Sequence, residues 1–212
     1  MAASLTPDSA DALLFDLGRV VIDFDIARTA AAWAAHDGSD PADLANRFVR
    51  DETFWLYETG KLSDTEFFAR LRAALGIDLS DAQLLDGWNA TFIGEMDGIA
   101  PLLAQAAKKW PLYAFSNTNR AHVAHFSQHY AEVLGHFREI FLSSTIGLRK
   151  PHADAYDHVV KAIGVPAERI VFFDDLAENV AGARACGLVA VHVTSSNDVA
   201  EALAALGFME ND

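Results

Sequence analysis

The chain has 212 residues, of which 51% are hydrophobic and 22% are charged. This composition is typical of a folded globular protein and excludes an intrinsically disordered one. Its 16 Lys and Arg residues against 30 Asp and Glu residues give a formal net charge of −14. This charge argues against nucleic acids and anionic membranes as partners. A small anionic substrate remains compatible with it where a metal ion or local positive charge offsets the negative potential of the protein.

The first predicted element is a short buried strand over residues 12–15, with the sequence ALLF. It ends abruptly in Asp16, Leu17 and Gly18, so the strand delivers a carboxylate at its C-terminal end. Residues 20–24 continue in an extended conformation.

Residues 26–94 have a different character, because apolar residues recur there at helical spacing and no strand-like run appears. Turn signals divide this segment into about four short helices. Asp40 before Pro41, and Ser63 with Glu66 three residues later, are helix-start signals. The large aromatic side chains of the segment are predicted to form its own core, among them Trp33, Trp55 and Trp88.

From residue 97 onward helices and strands alternate. Strands are predicted over residues 112–115, 140–142, 170–173 and 189–193, and helices over residues 99–109, 120–130, 153–163, 179–186 and 198–206. Continuously apolar strands that alternate with helices predict a parallel sheet covered on both faces. Since the first strand belongs to the same sheet, residues 1–25 and 95–212 are predicted to form the core and residues 26–94 an inserted helical cap.

The single cysteine, Cys186, excludes an intramolecular disulfide and a zinc site built from cysteines, and its alanine-rich surroundings indicate a small buried residue at a helix end. Residues 1–12 have neither a basic segment nor an apolar one of the signal-peptide kind. No apolar run approaches about 18 residues. These features together predict a cytoplasmic protein.

Polar side chains follow the predicted strands at their C-terminal ends, where the ligand site of an open α/β sheet lies. They are Asp16, Ser116, Asn117, Lys150, Asp174 and Asp175. Each of them alone is also compatible with a structural role as a helix cap, a turn former or a solvated charge. Together they offer carboxylates for a hard divalent cation, a hydroxyl and an amine for anionic oxygens, and a carboxylate that can attack.

Four segments of the chain resemble the four ordered motifs of the haloacid dehalogenase (HAD) superfamily. They are FDLGRVV at 15–21, FSNTN at 115–119, RKP at 149–151 and FFDDLAEN at 172–179. The resemblance covers nearly the whole chain and implies an α/β fold, with a Rossmann-like, three-layer parallel sheet core and an inserted small α-helical cap of type 1. The first two motifs are most similar to the subgroup that contains alpha-D-glucose-1-phosphate phosphatase.

The resemblance implies that Asp16 is the nucleophile and forms an aspartyl-phosphate that water hydrolyses. It also implies a Mg²⁺ cofactor held by Asp16, Asp175 and the Gly18 carbonyl, with Asp174 bound directly or through water. Lys150 would act with Asp16 as a catalytic group by neutralising the phosphoryl group.

The second motif would bind the phosphate oxygens through the Ser116 hydroxyl and the backbone of Asn117, together with Lys150. Weaker candidates for the site lie in the same motifs: Thr118, Asn119, His122 and Asn179. In the cap, Glu58, Trp88 and Asn89 are candidates for selecting the substrate. His122, His125 and His129 lie on one helix face; a three-histidine metal site is conceivable, but the hard metal expected here favours a solvated face.

One departure concerns the catalytic acid. Many members of the superfamily carry a second aspartate two residues after the nucleophile, and this chain has Gly18 there. Either His122, Asp23 or a cap residue takes the role of general acid and base, or only good leaving groups are handled quickly. Sugar 1-phosphates leave easily and fit the second alternative. Arg19 replaces the asparagine of the subgroup and adds positive charge.

These observations predict a Mg²⁺-dependent phosphomonoester hydrolase of a small phosphorylated metabolite, with a sugar phosphate as the favoured substrate. One alternative is a metal-free haloacid dehalogenase, which the acidic pair Asp174 and Asp175 disfavours because related dehalogenases have a serine-rich loop there. The other is a non-catalytic domain that binds a phosphorylated ligand, for which Gly18 is the only support. A monomer or a weak homodimer is expected.

Overall fold

The computed structural model describes residues 5–208, so residues 1–4 and 209–212 of the predicted core lie outside the described range. Its strands are β1 (Ala12–Phe15), β2 (Ile22–Phe24), β3 (Phe92–Glu95), β4 (Leu112–Ser116), β5 (Glu139–Leu142), β6 (Ile170–Asp174) and β7 (Val189–His192). The helices of the first half are α1 (Ile26–Asp37), α2 (Pro41–Arg47), α3 (Glu52–Glu58), α4 (Asp64–Leu75), α5 (Asp81–Asn89) and α6 (Ile99–Ala106). Those of the second half are α7 (Arg120–His129), α8 (Ala131–Leu134), α9 (Ser143–Ile146), α10 (Ala153–Ile163), α11 (Ala177–Ala185) and α12 (Ser196–Ala205).

The central sheet has five parallel strands in the order β5-β4-β1-β6-β7. Its side chains alternate between two apolar layers. Leu13 and Phe15 of β1 pack with α6, α7 and α12, whereas Ala12 and Leu14 pack with α10 and α11. All four β1 residues are fully buried, as expected for a strand covered on both faces. The predicted three-layer α/β fold is therefore confirmed.

The inserted segment packs around its own aromatic core. It contains five helices, α1 to α5, where about four were predicted. Asp40 caps α2, and Ser63 with Glu66 forms the predicted capping box of α4. Trp33 and Trp88 are buried and stacked, with ring centroids 6.0 Å apart. The prediction for Trp55 is wrong: its ring is 47% exposed on the outer side of α3, with the Arg149 guanidinium 5.9 Å from its centroid.

A short antiparallel pair, β2 with β3, stands where the chain leaves the core sheet for the insert and where it returns. Ile22 pairs with Glu95 in this ladder. The prediction that residues 26–94 contain no strand is therefore wrong for β3. Its four residues alternate between half-buried and exposed and include Gly94, so they lack the apolar run that marks the core strands. No helix within residues 5–208 has the length and apolar character needed to cross a bilayer.

Candidate active site

Three polar side chains meet because β1, β4 and β6 are neighbouring parallel strands that end at the same edge. Asp16 follows β1, while Ser116 and Asp174 are the last residues of β4 and β6. All three are buried, and Asp174 is completely so. The expectation that the strand ends assemble one polar cluster therefore agrees with the topology.

Lys150 links these strand ends through its ammonium group. Its Nζ lies 2.6 Å from Asp174 Oδ2, 2.9 Å from Asp16 Oδ1 and 2.9 Å from the Phe115 carbonyl oxygen, so all three N–H donors have acceptors. Burial by itself would lower the pKa of Lys150, but the charges of Asp16 and Asp174 outweigh burial and raise it above its usual value. The buried lysine is therefore held as a cation.

The Asp16 carboxylate is anchored through one oxygen. Oδ1 accepts hydrogen bonds from the Leu17 backbone N–H at 2.7 Å and from Lys150. Among the described residues no hydrogen bond to Oδ2 is observed. Burial raises the pKa of Asp16, an effect that the Lys150 charge opposes and the Asp174 charge reinforces. A further cation at this carboxylate would favour its ionised form.

Carboxylate oxygens of Asp16, Asp174 and Asp175 lie within 4.8 Å of one another. This all-oxygen set suits Mg²⁺. The two oxygens of Asp174 are already engaged by Lys150, the Leu176 backbone N–H and the Asn179 amide, at distances of 2.6 to 3.1 Å. Direct contact with a metal is therefore easier for Asp16 and Asp175. Within the described part of the chain, His122, His125 and His129 do not form a comparable cluster.

Asn117 holds the Lys150 loop by a two-way amide contact that the sequence analysis missed. Its Nδ2 donates to the Lys150 carbonyl oxygen and its Oδ1 accepts from the Lys150 N–H, both at 2.9 Å. The Asn117 side chain thus fixes the loop from which the lysine reaches the strand ends. The prediction had concerned only the Asn117 backbone, and residues 117 and 150 are too far apart in sequence for a motif to reveal the contact.

The insert is hydrogen-bonded to the core beside the site. The Ser143 hydroxyl lies 2.7 Å from the Glu58 carbonyl oxygen and accepts the Thr118 backbone N–H at 2.8 Å. Arg149 Nε donates to Glu58 Oε2 at 3.1 Å. Burial raises the pKa of the Glu58 carboxyl, while the Arg149 charge opposes that rise. Glu58 lines the catalytic cavity, and its role in selecting the substrate stays a prediction.

His122 lies in a closed hydrogen-bond network. Its Nε2 lies 3.1 Å from the Trp88 carbonyl oxygen and its Nδ1 lies 3.2 Å from Asn119 Nδ2. We assign the Nε2–H tautomer, because the Trp88 carbonyl can only accept a hydrogen bond. Asn119 Oδ1 caps α7 through the His122 backbone N–H and accepts from Trp88 Nε1 at 3.3 Å. Both ring nitrogens are used, so the ring has no free site for proton transfer.

A cavity of about 580 Å³ lies at the strand ends and is lined by Asp16, Lys150 and Asp175. Gly18, Arg19, Ser116, Asn117 and Asn179 line it as well. Arg19 has a left-handed backbone with φ of 56°, and its Nε lies 3.9 Å from Asp175 Oδ2. A smaller, largely apolar cavity adjoins this one on the side of the insert. Asp23 and Asn89 line neither cavity.

Comparison with known proteins gives consistent results. Residues 10–187 match the model of the haloacid dehalogenase-like hydrolases. A sesquiterpene phosphatase of Aspergillus oryzae is 31% identical over 157 residues, which are 70% of this chain and 76% of that protein. A D-ribitol-5-phosphate phosphatase of Bacteroides thetaiotaomicron is 25% identical over 177 residues, 79% of this chain and 84% of that protein. A HAD family enzyme from Bacteroides thetaiotaomicron, solved in complex with magnesium and inorganic phosphate, has a similar structure with a TM-score of 0.78. Its sequence is 25% identical, and the match covers 88% of this chain and 95% of that one.

Proposed function

The chain belongs to the haloacid dehalogenase-like hydrolase family, and from that premise we propose that it is a Mg²⁺-dependent phosphomonoester hydrolase of a small phosphorylated metabolite. The observation that carries the proposal is the position of Lys150. Its ammonium joins the carboxylates of Asp16 and Asp174 at one cavity. One fixed cation among three carboxylates leaves the site anionic, and a bound divalent cation would make it accept a phosphate.

In this reaction Asp16 attacks the phosphorus through its free carboxylate oxygen, and the bond from phosphorus to the alcohol oxygen breaks. Water then attacks the phosphorus of the aspartyl-phosphate, which restores Asp16 and releases phosphate. The Ser116 hydroxyl donates to a phosphoryl oxygen, and the Lys150 charge, held beside Asp16, stabilises the negative charge that builds there. Position 18 has no carboxyl group, so the leaving oxygen takes its proton from water or from Glu58, the cap carboxyl that lines the cavity. Mg²⁺, held by Asp16 and Asp175, would neutralise charge on the phosphate.

The two alternatives, a metal-free dehalogenase and a binding domain without turnover, fit the site less well. A metal-free dehalogenase has no use for three clustered carboxylates, which repel one another without a cation. A binding domain without turnover has no need for an aspartate that lines the cavity with one oxygen not hydrogen-bonded by the described residues. The phosphatase names of two relatives support the proposal as well. Sugar phosphates, a cytoplasmic location and a monomeric or weakly dimeric state stay predictions from the sequence.

The test is hydrolysis of para-nitrophenyl phosphate with Mg²⁺, with EDTA, and by Asp16→Asn with Mg²⁺. We expect turnover that needs the metal and that falls by at least about 10³-fold in Asp16→Asn. Chloride release from 2-chloropropionate in EDTA would instead support the dehalogenase. Phosphate binding by the folded protein without any turnover would support the binding domain.

A further inference from the structure

A second cavity adjoins the catalytic one on the side of the insert. Its volume is about 110 Å³. Phe24, Ile26, Phe54 and Ser116 are among the residues that line both cavities. A phosphate ester held at Ser116 therefore lies within reach of these shared walls. The charged side chains Arg50 and Glu58 also belong to the shared walls.

The walls of this second cavity are largely apolar and come from both the insert, residues 26–94, and strand β2. They include Ile22, Phe24, Ile26, Phe54, Trp88 and Phe92. Four of these six are aromatic. The rings of Trp88 and Phe92 are stacked on His122 and His125, which leaves Phe24 and Phe54 to contact an unsaturated or aromatic group.

The polar groups deeper in the cavity are engaged by one another. Asn119, His122 and Trp88 form the closed hydrogen-bond network described above, and the Thr118 N–H is bound to Ser143. The Thr91 hydroxyl oxygen is buried and has no hydrogen-bond partner among the described residues. Apart from the shared residues Arg50, Glu58 and Ser116, the walls offer a sugar few free partners, so its hydroxyls would lose water without regaining all their hydrogen bonds, which is unfavourable.

The volume sets the size of the group. An apolar cavity of about 150 Å³ holds a benzene molecule, so about 110 Å³ suits a single branched five-carbon unit or a closely fitting ring. The cavity is open toward the catalytic site, where the ester oxygen would lie.

We propose that this cavity binds the hydrocarbon part of the substrate, and that the enzyme prefers monophosphates of small unsaturated or aromatic alcohols to sugar phosphates. This inference rests on the proposed phosphatase function and names its substrate class. It departs from the sugar phosphate that the sequence analysis favoured.

The test compares kcat/KM, with Mg²⁺, for 3-methylbut-2-enyl phosphate and benzyl phosphate against glucose 1-phosphate and ribitol 5-phosphate. Acetyl phosphate is an acyl phosphate whose organic part is too small to fill the cavity and whose acetate leaves without a general acid, so its cleavage reports Asp16-dependent phosphoryl transfer separately. We expect both hydrocarbon esters to exceed both sugar esters by at least about tenfold, since several carbons leave water. The inference alone would be overturned if kcat/KM for the sugar esters equalled or exceeded that for the hydrocarbon esters while wild type, but not Asp16→Asn, cleaved acetyl phosphate. No cleavage of acetyl phosphate or of any ester would overturn the proposed function and this inference with it.

A matched pair of variants tests whether the preference for hydrocarbon esters arises in the second cavity. Ile26 lines it and is 40% exposed, so Ile26→Ser does not create a core defect. Ile93 is 50% exposed on β3 and lies outside both cavities, so Ile93→Ser is its control. We expect Ile26→Ser to lower the ratio of kcat/KM for the five-carbon ester to that for acetyl phosphate by about three- to tenfold, and Ile93→Ser to leave it within twofold. An unchanged ratio in Ile26→Ser, or the same fall in both variants, contradicts the assignment.

Discussion

The ring of Phe24 occupies the space beside Gly18. A Cβ atom built on Gly18 would lie 2.6 Å from Phe24 Cε1, well inside van der Waals contact. Many relatives in the superfamily have an aspartate where this chain has Gly18. Here that space belongs to an aromatic ring that lines the catalytic cavity and the apolar one. The absence of a side chain at position 18 thus removes the general acid and also leaves room for the Phe24 ring in the apolar wall.

The first prediction concerns an attempt to restore the acid. Gly18→Asp alone should not raise activity and should destabilise the fold by about 1–3 kcal/mol, because the new side chain displaces the Phe24 ring. Combining it with Phe24→Ala removes the clash. A double-mutant cycle, measured by urea unfolding with Phe24→Ala as the control, should show a favourable coupling of at least about 1 kcal/mol. Additive effects of the two substitutions would show that the ring and residue 18 do not compete.

The second prediction concerns Lys150. Lys150→Met leaves Asp16 and Asp174 facing each other without a cation, so stability in EDTA should fall by about 3–5 kcal/mol. With Mg²⁺ present, kcat should fall by about 10²- to 10³-fold, because the phosphoryl group loses a fixed positive charge beside Asp16. Lys108→Met is the matched control, since Lys108 is exposed in the turn that follows α6. Wild-type stability of Lys150→Met in EDTA would contradict the bridging role.

The parts of the molecule that the sequence predicted are those encoded by local patterns. Continuous apolar runs marked the five core strands, and Ser63 with Glu66 marked the start of α4, because each signal lies within a few residues. Contacts that fold distant segments together were not predictable. The Asn117 clamp on Lys150 and the network that joins Trp88 to His122 each connect residues more than 30 positions apart. The strand β3 was missed because its pairing with β2, and not its own composition, defines it.

The third prediction concerns the pH dependence of stability. Burial lowers the pKa of His122 from its usual 6.5 to about 4, so the folded protein keeps this ring neutral while the unfolded chain protonates it. The unfolded state therefore binds more protons below pH 6.5, and stability is lost as the pH falls from 6.5 toward 4, by up to about 3 kcal/mol from this residue. The contribution is absent above pH 6.5.

Urea unfolding of wild type and His122→Phe between pH 7.5 and pH 4.5 measures this effect. The stability difference between the two proteins should shift in favour of the variant as the pH falls. The same series for His158→Gln, which changes an exposed histidine on α10, should run parallel to wild type. A parallel course for His122→Phe would show that the His122 ring is protonated in the folded state.

The last prediction separates the two effects of Arg19. Its left-handed backbone, with φ of 56°, is costly for a long side chain and tolerated by asparagine, so Arg19→Asn should raise stability in EDTA by about 0.5–1 kcal/mol. Arg19→Lys keeps both the charge and the conformational cost and should not. Because Arg19 Nε lies 3.9 Å from Asp175 Oδ2, removing its charge should also tighten Mg²⁺ binding by about two- to fivefold, measured by titration calorimetry. If Arg19→Lys tightens Mg²⁺ binding as much as Arg19→Asn does, the charge of residue 19 does not compete with the metal at Asp175.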